Sequence, residues 1–139
     1  MELIITGSTK KVREAVADVA YFVHKKLMPR QKNITVTIEL KRNLAEKEGA
    51  FGWCMDEGDK EYTVTVDSSQ DLPTLLQTVC HEMVHVKQYA RGEHTQLARG
   101  VFRWKRRYYS LDTEYDKQPW EKEAFKLEGP LYKEYVNSK

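Results

Sequence analysis

The segment from Asp71 to Gly92 carries the pattern that most restricts how this chain can fold. Asp71 is an N-cap candidate two residues before Pro73, and Gly92 is typical of a helix end, so the segment predicts a helix to about Arg91. Its apolar residues recur at spacings of three and four, and one face of the helix must be buried. This apolar stripe comprises Leu72, Leu75, Leu76, Val79, Met83, Val86 and Ala90.

The same helix carries His81-Glu82-Met83-Val84-His85, an HExxH pattern. Histidines at i and i+4 project from one helix face about one turn apart, so both imidazoles can reach one metal ion. His81 lies about 200° around the helix from Val79, so the histidines form a second, polar stripe with Gln88. Glu82 points to another side, where a carboxylate can hold a water without binding the metal itself.

The rest of the chain predicts an α+β fold in a single domain, residues 1–139. Alternating or apolar runs indicate strands, and apolar stripes that begin at cap residues indicate helices. The segment from Thr95 to Asp116 is not assigned, although part of it is compatible with a helix. We expect a strand at Glu2–Thr6, a helix that Pro29 stops, a strand at Asn33–Leu40, a short loop or helical turn at 41–49, a hairpin of Ala50–Met55 and Glu61–Asp67, and a last helix from Pro119 to about Tyr135, broken or ended near Gly129-Pro130.

A catalytic zinc needs a third protein ligand besides the two histidines, and an open position for water. His94 lies beyond Gly92 and could fold back to the pair. Glu121 and Glu123 stand at the start of the last helix, two residues apart, so they cannot point the same way. Carboxylates at this position also interact favourably with a helix N-terminus without any metal. The spacing alone leaves the third ligand open.

Composition limits the compartment and the metal chemistry. The 139 residues contain no run near the roughly 18 apolar residues of a membrane helix, and Met1-Glu2-Leu3 lacks the basic start of a signal peptide. Two cysteines are too few for a disulfide framework. We therefore expect a cytoplasmic protein with no membrane partner, whose metal ligands are nitrogen and oxygen atoms.

HEMVHVKQ at 81–88 together with PWEKEA at 119–124 resembles the gluzincin metallopeptidases, above all the small single-domain minigluzincins and metallopeptidases encoded by bacteriophages. The resemblance implies a zincin-like fold, in which a mixed sheet of three to four strands packs on an N-terminal helix and the HExxH helix. It implies Zn²⁺ held by His81, His85 and Glu121, since Ala124 follows Glu121 at the family's spacing and Glu123 does not fit. Phe125 stands where many gluzincins have an Asp or Asn that orients the first histidine, a task left to Glu123 or a backbone carbonyl.

The resemblance also implies a zinc-dependent peptidase that acts on peptides or proteins and is expected to be a monomer, in the host cytoplasm if phage-encoded. Glu82 would be the general base for a metal-activated water, and Tyr109, Tyr115 or His94 would donate to the oxyanion. The run Ala50-Phe51-Gly52-Trp53 falls where zincins carry the edge strand that pairs with substrate. Core packing is the alternative for Phe51 and Trp53.

The segment 99–109 interleaves basic and aromatic residues. Lys and Arg exceed Glu by six between Val86 and Ser110, so the remainder of this +2 chain sums to −4. Such a segment could hold single-stranded nucleic acid or an acidic protein, or be a solvated face that pairs with Asp112, Glu114 and Asp116. We expect the last.

SprT-like zinc proteases, which act on DNA-bound proteins, look similar around HEMxH. They use a third histidine, however, and this chain lacks a zinc-ribbon CxxC pair. The alternative function is therefore a catalytically weak or inactive zincin-like module that binds nucleic acid or a protein partner through 99–109.

Overall fold

The computed structural model describes residues 1–97 and 100–139, and there the chain is α+β with four helices and two sheets. The helices are α1 (Lys10–Leu27), α2 (Leu44–Glu48), α3 (Leu72–Ala90) and α4 (Pro119–Asn137). The strands are β1 (Glu2–Thr6), β2 (Thr35–Lys41), β3 (Gly52–Gly58), β4 (Glu61–Asp67), β5 (His94–Leu97), β6 (Val101–Trp104) and β7 (Arg107–Ser110), and a 3₁₀ turn spans Tyr115–Lys117. None of the described helices is both long and apolar enough to cross a membrane.

The first sheet is mixed and has the strand order β1-β2-β4-β3. β1, β2 and β4 are parallel, whereas β3 is antiparallel to β4 and forms an edge. Alternate residues of β2, such as Val36 and Ile38, are fully buried, as the predicted period of two requires. The β3–β4 turn at Asp59 and Lys60 has positive φ at both residues, typical of a tight hairpin, so β3 reaches further than predicted.

The core lies between this sheet and the two helices α1 and α3. Val16, Val19 and Val23 of α1 are fully buried beside the apolar stripe of α3. The predicted stripe is confirmed, except that Leu72 at the helix start is 40% exposed. The polar stripe of α3 is also buried, because α4 packs over it.

The second sheet, β5-β6-β7, is antiparallel and occupies the segment that the sequence left unassigned. Between Thr95 and Asp116, the described residues contain no α-helix and include the start of the 3₁₀ turn at Tyr115, so an α-helix in these residues is wrong. Phe102 and Tyr109 are register partners, and their side chains face Trp120 at the start of α4, with ring centroids 5.4 and 5.7 Å away. Aromatic packing thus fixes this small sheet against α4.

The basic residues of this sheet do not pair with the acidic run as predicted. Among the described residues, no ion pair joins Arg103, Lys105, Arg106 or Arg107 to Asp112, Glu114 or Asp116, and Glu114 pairs with Lys117 instead. Arg99, which belongs to the same predicted segment, lies outside the described residues.

The last helix, α4, is continuous to Asn137, so the predicted break near Gly129-Pro130 is wrong. Pro130 is exposed and removes one backbone donor, a loss that normally weakens a helix. Leu131 directly after it and Tyr135 one turn further on are buried in the core. Their packing holds the helix through the proline.

Candidate metal centre

Helices α3 and α4 bring two histidines and one carboxylate to a single point. His81 Nε2 and His85 Nε2 each lie 3.1 Å from Glu121 Oε1. Ligand atoms of these three residues all lie within 4.8 Å of one another, so the group could hold a metal ion. The helical spacing of the histidines and the start of α4 at Pro119 produce this arrangement.

The outer nitrogens of both imidazoles have oxygen partners. Nδ1 of His81 is 3.0 Å from Glu128 Oε1, and Nδ1 of His85 is 2.8 Å from Gln88 Oε1. An ionised carboxylate and an amide oxygen only accept hydrogen bonds, so each Nδ1 carries the proton. That leaves each Nε2 available as a metal ligand, the arrangement typical of metal-binding histidines. The residues present therefore fit a metal ion.

The electrostatics of the group favour positive charge between the three residues. Burial alone would lower the pKa of His81, but the hydrogen bonds to Glu121 and Glu128 raise it to about 9. Burial also opposes protonation of His85, but its hydrogen bond to Glu121 and the nearby charge of Glu82 raise its pKa. Burial opposes ionisation of Glu121, yet its bonds to the two histidines hold the pKa of that carboxyl far below its usual range. A cation that replaces the Nε2 protons would meet the same carboxylate.

Glu82 lies beside this group but is not one of the three converging residues. Its side chain is buried at the cavity that the group lines, and burial raises its pKa to about 7 despite the two nearby histidines. A carboxyl with such a pKa can hold or release a proton near neutral pH. Strand β3 passes close by: a Cβ at Gly52 would lie 3.1 Å from Glu82 Oε2.

The cavity in front of these residues has a volume of about 1030 Å³. Each residue of the predicted substrate-binding run, Ala50, Phe51, Gly52 and Trp53, lines it. Phe51 is 59% exposed, so core packing is wrong for that residue, whereas Trp53 is half-buried. The edge strand and the histidine pair thus share one cavity.

Of the two tyrosines predicted as oxyanion donors, the structure brings one to the group. The Tyr115 hydroxyl donates to Glu121 Oε1 at 3.2 Å, and the ring lines the cavity. Tyr109 instead packs edge-on against Trp120, and it is not among the described residues that line the cavity.

His94, an alternative third ligand, lines the cavity but does not join the converging group. Its ring stacks between Trp120 and Tyr89, with centroids 4.3 and 5.0 Å away. Neither ring nitrogen has a hydrogen-bond partner among the described residues. Burial lowers its pKa to about 4, so this histidine is neutral at pH 7.

Glu123, the other alternative ligand, points elsewhere. Its Oε1 accepts from Lys87 Nζ at 2.8 Å and from Gln88 Nε2 at 3.2 Å. The prediction that Glu123 or a backbone carbonyl orients the first histidine is also wrong, because Glu128 does so. Phe125, at the family's usual position for that task, packs its ring against His81 instead, at 4.6 Å.

Glu128 is the residue that the sequence prediction missed. It follows Glu121 by seven positions, two helical turns, and therefore lies on the same face of α4. That periodicity was the available signal, because Glu128 lies before the predicted break at Gly129-Pro130.

Comparison with known proteins gives no further guide to the site. No protein-family model, curated protein or solved structure matches this chain. What the site does must therefore be inferred from its own residues and geometry.

Proposed function

We propose that this chain is a zinc-dependent metallopeptidase of the gluzincin type, with a zincin-like arrangement of its helices and edge strand. His81, His85 and Glu121 hold the metal, and Glu82 is the general base. One observation carries the proposal: two Nε2 atoms converge on one carboxylate oxygen in a cavity that also holds the buried Glu82.

The donor set favours zinc over harder or softer metals. Two imidazoles and one carboxylate are ligands of catalytic zinc sites, which keep a further position open. Cys54 lines the same cavity, but burial raises the pKa of its thiol well above the usual value. The neutral thiol is a poor ligand, so the set stays nitrogen and oxygen.

Zinc bound there supplies a Lewis acid that polarises a peptide carbonyl and acidifies water. Glu82 accepts the proton of the attacking water and returns it to the leaving amine, a task that suits a carboxyl whose pKa lies near 7. Tyr115 places a hydroxyl 3.2 Å from the carboxylate of Glu121, where it can donate to a carbonyl oxygen as negative charge develops.

The substrate is a peptide in extended form. Strand β3 is an edge of the first sheet, and an edge strand pairs readily with an added chain. Phe51 is exposed, and Phe51, Gly52 and Glu82 line the same cavity, so a chain paired with this edge lies next to Glu82.

Metal content tests the proposal directly. Protein purified without a His-tag or chelator, then supplemented with zinc and desalted, should hold about one zinc per chain and cleave denatured proteins. A content below about 0.2 zinc per chain would exclude a tight zinc site of this kind.

A matched pair of carboxylates locates the third ligand. Glu121→Ala should weaken zinc binding by more than about 100-fold, beyond the 10- to 100-fold loss typical of a supporting residue. Glu123→Ala removes the same charge two residues away and should leave zinc binding nearly unchanged, because its oxygen contacts Lys87 and Gln88. The reverse order would assign the metal to Glu123.

One observation favours nucleic-acid binding as a second candidate function. Arg103, Lys105, Arg106 and Arg107 are exposed on the β6–β7 hairpin beside Tyr108, which is 67% exposed, and none forms an ion pair within the described ranges. Binding of a single-stranded oligonucleotide should then weaken steeply as salt rises. Absence of binding at low salt would exclude this function.

A further inference from the structure

A groove separates the edge strand β3 from β5, the edge strand of the second sheet. It has a volume of about 570 Å³ and is lined by Cys54–Gly58 of β3 and Thr95–Leu97 of β5. Cys54 and Tyr89 line both this groove and the cavity of the metal centre, so the two spaces adjoin at these residues. β3 and β5 belong to different sheets.

The free edge of β3 presents backbone groups towards this groove. The N–H of Asp67 donates to the carbonyl of Phe51, so residues in phase with Phe51 direct their polar groups towards β4. In an antiparallel ladder the intervening residues direct both groups the other way. Gly52, Cys54 and Asp56 therefore offer N–H and C=O groups at the edge.

The free edge of β5 is built in the same way. The N–H of Lys105 donates to the carbonyl of Glu93, so residues in phase with Glu93 face β6. His94 and Gln96 then present N–H and C=O groups on the opposite edge. Two unpaired strand edges thus border one groove that leads from the metal centre.

We propose that the substrate chain, on one side of the scissile bond, lies in this groove as a strand that pairs with β3 and β5 at once and joins the two sheets. The inference rests on the proposed peptidase function and specifies how that site binds its substrate. Five residues of β3 line the groove and span about 16 Å at 3.3 Å per residue, so about five substrate residues fit.

His94 gives independent support at the start of β5, directly before Thr95, the first residue of β5 that lines the groove. It is only 4% exposed, lines the cavity, and neither ring nitrogen has a partner within residues 1–97 and 100–139. Buried polar atoms almost always have a hydrogen-bond partner in the functional state. A peptide that runs from the groove into the cavity brings carbonyl and N–H groups towards this ring.

The far end of the groove selects the charge of the substrate. Asp56 and Glu57 line it, both are exposed, and neither is in an ion pair among the described residues. A Lys or Arg side chain at that end of the peptide gains a favourable charge interaction. We therefore expect a preference for a basic residue about five positions from the scissile bond.

N-methylation of the substrate distinguishes two-sided from one-sided pairing. The probes are Lys-Val-Thr-Val-Phe-Leu-Thr-Val-NH2 with fluorescein on its N-terminal amine and the Lys side chain left free, and its isomer with Lys moved to the last position, each bound to zinc-loaded Glu82→Gln protein. Successive N–H groups of a strand point to opposite sides. Methylation at each of three consecutive amides in the groove should therefore raise Kd about two- to tenfold.

The alternative outcomes contradict the proposal. An effect at every second amide only would mean that the peptide pairs with a single strand edge. If neither isomer binds at concentrations up to about 1 mM, a Kd that corresponds to a binding free energy of about −4.1 kcal/mol, the groove is not a peptide site. A dimer seen by sedimentation that persists at saturating peptide and blocks peptide binding would assign the groove to a second copy of this chain. Binding does not require turnover, so failure of hydrolysis would not be confused with failure of this site.

Charge reversal gives a second, independent readout. One Lys isomer should bind about fivefold more tightly than its twin with Glu in place of Lys, and Glu57→Lys should abolish that preference. Glu61→Lys is the matched control, because Glu61 is exposed on the same hairpin but does not line this groove. Asp56 is left intact because its Oδ1 accepts from the N–H of Gly58. An unchanged preference in Glu57→Lys would remove the charge selection from the proposal.

Discussion

Helix α3 is buried on two sides, and the two sides are covered by different kinds of residue. Towards α1 and the first sheet, Val79, Met83 and Val86 are fully buried among aliphatic neighbours. Towards α4, His81 and His85 are nearly as buried, but they contact carboxylate and amide oxygens. One helix thus separates an aliphatic side from a polar side.

This difference indicates which side of α3 stabilises the fold and which side carries the proposed metal site. Burial of apolar side chains lowers the free energy of the folded state in proportion to the area removed from water. Burial of charged groups costs free energy unless partners compensate it, so it contributes little net stability. Substitutions on the polar side should therefore change metal binding or hydrolysis, and those on the aliphatic side should change the free energy of unfolding.

The largest expected effect is on hydrolysis. Glu82→Gln removes the proposed base while it keeps size and burial, and kcat on a denatured protein substrate should fall about 10²- to 10⁴-fold. Zinc content and the urea unfolding curve should stay near those of the native protein. Glu61→Gln, an exposed control, should keep full activity. Retained hydrolysis in Glu82→Gln would exclude Glu82 as the base.

Substitutions on the aliphatic side of α3 should change the free energy of unfolding and leave zinc binding unchanged. Met83→Ala removes a fully buried side chain and should lower the free energy of unfolding by about 2–5 kcal/mol, measured by urea denaturation. Leu72→Ala, on the same stripe but 40% exposed, should lower it by about 1 kcal/mol or less. Zinc stoichiometry of folded Met83→Ala should be unchanged. Loss of zinc without loss of stability would break the separation of the two sides.

His94, which packs against Trp120 at the start of α4, should make the free energy of unfolding depend on pH. Because burial lowers its pKa to about 4, the folded state favours the neutral ring. Its contribution to the free energy of unfolding is complete above the ordinary histidine pKa of about 6.5. As pH falls from there towards 4, the free energy of unfolding decreases by about 3 kcal/mol at most, because the unfolded state binds a proton that the folded state does not.

The comparison with His94→Phe isolates that contribution. The difference in unfolding free energy between native protein and variant should shift by up to about 3 kcal/mol in favour of the variant from pH 7.5 to pH 4.5. Urea denaturation at both values measures it, and other titrating groups cancel in the difference. A difference independent of pH would show that His94 is not buried as a neutral ring.

The smallest expected effect concerns the support of the first histidine. Glu128→Ala leaves Nδ1 of His81 without its acceptor and should weaken zinc binding about 10- to 100-fold, measured by competition with a chelator. Glu128→Gln keeps an acceptor oxygen and should recover part of the loss. Glu134→Ala, an exposed position on the same helix, should bind zinc like the native protein. An equal loss in Glu134→Ala would mean that α4 was disturbed as a whole.

Local periodicity made much of the fold and part of the site predictable. The stripe of α3, the alternation in β2 and the cap before Pro73 each depend on a few neighbouring residues. The geometry of the histidine pair follows from helical spacing alone. Glu121 was chosen through a family resemblance, because spacing by itself could not decide between it and Glu123.

The second sheet was missed because its signals are not local. Its hairpin turns at Lys105-Arg106, with Lys105 at φ +56°, and lacks the Asn or Gly that usually marks such a turn. Its aromatic face gains its order from Trp120, a contact across the chain that periodicity does not reveal. Glu128 was missed for a related reason, since its contact with His81 depends on how α4 packs on α3.

Gly52 limits how this protein can vary in sequence. A Cβ there would lie 2.9 Å from the carbonyl oxygen of Thr65, in the neighbouring strand, and 3.1 Å from Glu82 Oε2. Met55 on the same strand is exposed and can be exchanged at little cost in stability. Among homologues or in a saturation library, active chains should therefore keep glycine at position 52 while exposed positions on the same strand vary. Glycine at this one position would then identify sequences that retain the activity.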